Sequence, residues 1–386
     1  MSNKRIIYNQ FLLYFVLFSG FALTFTQIIP FLTYIGYTPI ERGIILSGTA
    51  IVSMIGQFTV GYLCDKYNTT KRFYNVLTML YVIFVALMYT YSQQIFFIHL
   101  ILVSLGGGLF RIVAGLLETW TIETNDYMKS HFGAIRAFGA IGWAIGAPLT
   151  SFIINEFGYR YIGLAFGLII LVSHAVSYWL PDAHKEEENT NLRLKDILIL
   201  IKNSNYIIVL ITLVFVNIIF TADMYLVIDK IISIGGTNDQ IAFKCSFQAV
   251  SELPLFFLGF YFLRKFGAKK LLLFSISMLM IRFSLYTLAT TPTQIILISG
   301  MQSVTFPFLA ISQKVIISHE SPTNLQSTGQ MFGLSMYVGF PALITPILSG
   351  FLVENFGYNV ALIIMTISLV IPLVLTIYYI TRTSTQ

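Results

Sequence analysis

The sequence predicts an all-α integral membrane protein with twelve transmembrane helices in two six-helix bundles. Three observations carry this. Only 10% of the 386 residues are charged and the mean hydropathy is +0.79, whereas soluble domains carry roughly a quarter charged residues. Apolar runs of about 20 residues, the length that crosses a bilayer, recur twelve times. The second six runs repeat features of the first at a near-constant offset.

The runs fall at 8–34, 43–64, 73–92, 95–117, 132–154 and 160–180, then at 206–228, 240–263, 271–290, 294–317, 327–352 and 358–381. Three regions are therefore expected: an N-terminal bundle over 1–180, a cytoplasmic central loop over 181–205 and a C-terminal bundle over 206–386. The acidic run at 186–188 in that loop reads as a flexible tether. Orientation follows from the basic residues. Lys4, Arg5, Lys66, Lys71, Arg72, Lys129, Lys202, Arg264, Lys265, Lys269, Lys270 and Arg382 share one side, with Lys185, Arg193 and Lys195 of the loop. The other side holds only Arg42, Arg160 and Lys230. Both termini are thus expected in the cytoplasm, and the protein in a cell membrane, a bacterial inner or plasma membrane.

The two halves read as copies. Gly36 and Thr38 match Gly235 and Thr237, and Phe157-Gly158-Tyr159 matches Phe356-Gly357-Tyr358, all at an offset of 199. Gly61 and Gly259 each lead into a basic loop at an offset of 198. Six helices per half keep both copies in the same orientation, a parallel repeat used by transporters.

Several function classes are excluded. The net charge of +6 lies in short clusters between apolar runs, not along one face, so no nucleic-acid partner is expected. Cys64 and Cys245 are too few and too far apart for a metal site or disulfide framework. There is no metal-ligand cluster, no nucleophile–base arrangement and no nucleotide loop. The run Gly106-Gly107-Gly108 lies inside a span, so it is no phosphate cradle. Neither enzymatic activity nor a cofactor is expected. The first run lacks a small-residue cleavage motif, so no cleavable signal peptide is expected.

Charges inside the spans point to a polar pathway, because a charge at membrane depth is costly. Arg111 and Glu118 lie seven residues apart and share one helix face. Arg136 and Trp143 do the same on the next span. Glu252 and Arg282 sit in apolar surroundings on spans eight and nine, where opposite charges need each other or a ligand. Asp223 lies within span seven and would pair with a neighbouring helix, while Asp229, Lys230 and Lys244 read as outer-interface residues. The loop after span two places Gly61 for close helix approach and Asp65 and Lys66 for gating, Asp65 accepting from a helix N-terminus or a basic residue. Each has a plainer reading: a structural ion pair, a packing Trp, packing histidines at 99 and 174, a merely positive loop. Glycines 139, 142 and 146 suit tight helix packing, and Gly106 to Gly108 beside Arg111 suggest a polar cavity.

Twelve spans, a six-plus-six duplication and the Gly61–Asp65 loop resemble the major facilitator superfamily. Glu118, Phe132-Gly133, Arg136, Phe138-Gly139 and Gly142-Trp143-Ala144 resemble the lactose permease pattern of the oligosaccharide:proton symporters. The resemblance implies a major facilitator fold, with Glu118 and Arg136 binding sugar hydroxyls and Trp143 stacking on a sugar ring. It also implies Glu252 as a sugar- and proton-linked acid and Arg282 as a coupling residue. Three positions depart from it. The family's coupling His falls at Gln302, its proton-carrying Glu at Thr305, and a sugar-contacting Asn at Arg111. Neither Gln nor Thr titrates usefully. Glu252 is then the best remaining proton carrier.

The expected function is symport of a sugar or oligosaccharide with protons by a monomer in the lipid bilayer. The mechanism is alternating access around a site between the bundles. A small organic anion, favoured by Arg111, and efflux of amphipathic compounds are alternative transport readings. A membrane sensor or receptor is the non-transport alternative.

Overall fold

The structure, a computed structural model, describes residues 3–183, 194–322 and 325–384. The first half holds α1 (Asn3–Phe25), α2 (Ile28–Ile35), α3 (Pro39–Lys66), α4 (Lys71–Thr90), α5 (Phe96–Thr124), α6 (Asp126–Ser130), α7 (Phe132–Phe157) and α8 (Ile162–Tyr178). Then come α9 (Leu194–Lys202), α10 (Ser204–Ala222), α11 (Leu226–Ser233), α12 (Asn238–Phe266), α13 (Ala268–Leu288), α14 (Pro292–Ser299), α15 (Gln302–Glu320), α16 (Gln326–Leu334), α17 (Phe340–Ser368) and α18 (Val370–Ser384).

Among the described residues, eleven helical stretches are long and apolar enough to cross a membrane. The last, Thr328–Thr383, is 56 residues long. As one straight helix it would extend about 84 Å, far beyond a bilayer core of about 30 Å. Gly357 inside it has φ 78°, which ends one span and starts the next. The twelve expected runs are thereby accounted for. The central loop differs from expectation, since α9 occupies its second half. Glu186, Glu187 and Glu188 lie outside the described residues.

The repeat extends to backbone conformation. Gly36 and Gly235 both have positive φ, at 105° and 79°, and so do Gly158 and Gly357, at 86° and 78°. Only glycine adopts this region cheaply. Thr38 and Glu41 form a capping box at the start of α3: the Thr38 hydroxyl accepts from the Glu41 amide at 3.3 Å and the Glu41 carboxylate from the Thr38 amide at 2.9 Å. Thr237 and Gln240 make the same two bonds at 3.3 and 3.0 Å ahead of α12. Spans one and seven are also both broken, α1 from α2 at residues 26–27 and α10 from α11 at residues 223–225.

Contacts divide the chain into two compact units, Met1–Glu187 with Gly236–Val250, and Glu188–Gly235 with Ser251–Gln386. In the first, α1 packs on α7 and α8, α3 on α5, and α4 on α5 and α8. Glycines permit the closest of these crossings. A Cβ on Gly142 would strike the Phe15 carbonyl oxygen, and one on Gly146 the Ser19 carbonyl. The Ser19 hydroxyl, so close, donates to the Gly142 carbonyl at 3.0 Å. In the second unit α13 packs on α15 and α17, and α10 on α17 and α18.

Candidate substrate and coupling sites

In the first unit, Glu118 on α5 and Arg136 on α7 meet: Arg136 Nε donates to Glu118 Oε1 at 3.0 Å. The short turn around α6 folds α7 back so that the two positions face each other. Both side chains stay accessible, at 43% and 40%. Lipid would not solvate such a pair, so its open side needs water or a polar ligand. The Arg136 guanidinium also lies 4.5 Å over the Phe18 ring, which helps fix its plane. Arg111, seven residues before Glu118 and thus about 10 Å along α5, is half-buried. Its Nε is buried without a hydrogen-bond acceptor among the described residues.

Trp143 is partly buried against Ala22, Ala147, Ala242 and Cys245. Its ring is tilted toward Phe25 and Phe110, each at 6.3 Å. These aromatics join α1, α5 and α7 in one wall.

Gly107 and Gly108 abut Thr49 and Val52 of α3 and serve the α3–α5 crossing, whereas a Cβ on Gly106 would meet nothing within 4 Å. Gly61 departs from expectation: a Cβ there meets nothing within 4 Å, so close approach does not require it in this conformation. Its counterpart Gly259 does abut Ile311.

Asp65 and Lys66 lie in the last turn of α3, with Lys66 Nζ 5.7 Å over the Tyr67 ring. The acid that caps the helix after the basic loop is Asp182. Its carboxylate accepts from the Thr69 hydroxyl and from the amides of Thr70 at 3.0 Å, Lys71 at 2.9 Å and Ala183 at 2.8 Å. Lys71 Nζ returns the favour at the end of α8, donating to the carbonyls of Tyr178 at 3.2 Å and Leu180 at 2.7 Å. Each charge thus sits at the helix end that its sign stabilises. Partial burial works against the Asp182 carboxylate, but these four hydrogen bonds win and hold its pKa below the ordinary carboxylate value.

The second unit holds a sealed counterpart. Arg282 on α13 and Asp223, at the α10–α11 break, are 0% and 1% accessible, with Nη2 3.0 Å from Oδ1. Every guanidinium N–H has an acceptor. Nε and Nη2 donate to the Tyr286 hydroxyl at 3.1 and 2.9 Å, and Nη1 donates to Gln302 Oε1 and to Thr305 Oγ1 at 3.4 Å. Glu252, on α12, acts on Arg282 electrostatically. Sequence reasoning linked Arg282 with Glu252; the structure adds a direct ion pair with Asp223. Gln302 and Thr305, which cannot titrate, are here neutral acceptors of the same arginine. Lys230 is buried, and its ammonium donates to the carbonyls of Tyr286 and Thr287 near the end of α13.

His99 and His174 are both hydrogen-bonded within the first unit. His99 Nδ1 bonds the Tyr37 hydroxyl at 2.8 Å and its Nε2 bonds the Tyr91 carbonyl at 3.0 Å. His174 Nε2 bonds the Thr78 hydroxyl at 2.7 Å.

Comparison with known proteins places this architecture. The MFS_1 like family matches residues 8–364. The chain belongs to that family. This major facilitator is 18% identical to the raffinose permease of Escherichia coli over 358 residues, covering 87% of this chain and 84% of the permease. It is 24% identical to the sucrose permease of Escherichia coli over 349 residues, covering 84% of this chain and 81% of the permease. Its fold matches the crystal structure of the nucleoside transporter NupG with a TM-score of 0.81 at 18% identity, covering 98% of this chain and 99% of that one. It is a multi-pass membrane transporter of a small polar solute, not an enzyme.

Proposed function

We propose that this facilitator moves a sugar, oligosaccharide or similar polyhydroxylated solute together with protons, by alternating access. One contrast carries the reading: of two ion pairs described within the spans, Glu118–Arg136 is open and Asp223–Arg282 is sealed. The open pair, Glu118 and Arg136, offers acceptors and a donor fork to hydroxyl groups, and each charge stays compensated when the solute leaves. Trp143, with Phe25 and Phe110, supplies an apolar surface for a sugar ring. The sealed pair, Asp223 and Arg282, is the coupling unit, with Glu252 as a second acid near it. Closed to water in this conformation, Asp223 exchanges its proton only after a conformational change, and that difference between states is what coupling requires. Names of relatives, raffinose and sucrose permease, favour the same solute class. The lysine and arginine bias favours cytoplasmic termini in a bacterial cell membrane, and the protein acts as a monomer. Gly61, Asp65 and Lys66 would shape the gate on that side.

A second reading, a nucleoside, is favoured by the aromatic wall, which suits a planar base as well as a sugar ring. The test is purified protein in liposomes containing a pH-sensitive dye, challenged in turn with sugars, nucleosides and small carboxylates. The expected result is sugar-driven proton entry that Glu118→Gln abolishes. A response to nucleosides alone would select the second reading. A response to carboxylates alone would reject both and make the unmet Arg111 donor the specificity element. Labelled-solute exchange without proton movement would remove the coupling proposal.

A further inference from the structure

Within the first unit, a groove of about 720 Å³ runs along the surface where α4 and α8 diverge. Gly163 holds α8 hard against Ala86 of α4. One turn further the helices stand further apart: a Cβ on Gly167 would meet Val82 Cγ1 at an ordinary contact distance of 3.5 Å. Leu164 and Leu168 wall the groove and are exposed. The α4 side runs from Met79 to Thr90. Eleven residues of helix rise about 16 Å, close to the roughly 15 Å hydrocarbon depth of one leaflet. Arg160 and Tyr161 stand at the mouth. Arg160 is exposed, and among the described residues no acid, not even nearby Glu156, bonds its guanidinium. Tyrosine is common at this depth, where the ring meets headgroups.

A neutral apolar groove in a membrane protein would accept any acyl chain. A single arginine without a protein partner at its interfacial end adds a charge requirement. We propose that the groove holds one anionic phospholipid, its phosphate bonded by the Arg160 guanidinium and an acyl chain lying between α4 and α8. Guanidinium and phosphate match in charge and in fork geometry, and the groove's length matches the chain region of a single leaflet. The lipid would hold together two helices of one unit, neither of which carries the ion pair of α5 and α7.

Native mass spectrometry tests this. The full-length protein would be purified, delipidated and exposed to equimolar phosphatidylglycerol and phosphatidylcholine in detergent. Wild type should retain one phosphatidylglycerol in preference by about tenfold, a ratio within reach of one charge-assisted hydrogen bond. Arg160→Gln should erase the preference and Arg160→Lys should keep most of it. Gly167→Leu, which fills the groove floor, should lower retention of both lipids. Equal retention of the two lipids by wild type, or a preference that survives in Arg160→Gln, would overturn the proposal. Should Gly167→Leu fold poorly, the two Arg160 variants decide the matter.

Discussion

Replacing Asp223 with Asn is expected to destabilise the protein by about 3–5 kcal/mol, the usual cost of leaving one member of a buried ion pair without the other. The structure explains why little else would compensate. Arg282 is fully buried, and its remaining bonded acceptors, the Tyr286 hydroxyl, Gln302 and Thr305, are neutral. Asn keeps the shape of Asp and one acceptor oxygen but removes the charge. Glu252 acts on Arg282 and keeps the expected loss within that range, not above it. Removing both charges, Asp223→Asn with Arg282→Gln, should restore most of the stability, because a neutral buried pair carries no unmatched charge. Thermal unfolding in detergent can be followed with a thiol-reactive dye, since Cys64 and Cys245 are both free and buried. The order of melting temperatures should be wild type, double variant, then Asp223→Asn. A single variant within about 1 kcal/mol of wild type, or a double variant less stable than the single, would refute the view that the pair is one electrostatic unit. If Asp223→Asn folds and still moves protons with solute, Glu252 is the carrier.

Asp182→Ala should cost about 1–2 kcal/mol, as loss of a helix cap does. Because the folded-state pKa of Asp182 is depressed, its contribution is present above the ordinary carboxylate range and fades as pH falls through the folded value. Melting curves of wild type and Asp182→Asn should therefore converge in acid; a gap that widens there would contradict the capping role. Gly142→Ala must displace the Phe15 carbonyl and is expected to lower expression and melting temperature sharply. Gly61→Ala, in open space, should be neutral or stabilising by up to about 1 kcal/mol, and a transport defect in that folded variant would reveal a gate formed in another conformation. Glu118→Gln should change stability by less than about 1 kcal/mol, since the pair is half exposed, while weakening solute binding about tenfold or more, one lost hydrogen bond to a charged group; unchanged binding by titration calorimetry would remove Glu118 from the site.

Much of the architecture was legible because its signals are local. An apolar run long enough to cross a bilayer declares itself whatever it packs against. The matched pairs Gly36 and Gly235, Thr38 and Thr237, and Gly158 and Gly357 could be read as a repeat because each does a local job, a left-handed turn or a helix cap. Glu118 and Arg136 were within reach because a short turn separates their helices. The break in span one, with no proline or glycine at residues 26–27 to mark it, was not legible. Neither was α9 in a stretch that reads as loop.

The sequence by itself determined the membrane class, the number of spans, the duplication and the presence of charges that must find partners at depth. Only the tertiary structure decided which partners they find. Asp223 and Arg282 are 59 residues apart, Asp182 and the start of α4 more than a hundred. The sequence pointed Arg282 toward Glu252 and left the partner of Asp223 open. The choice depends on the rotation of each helix about its axis, and that rotation is set by which side chains interlock along its whole length. Hydropathy sums over a helix and carries no record of it.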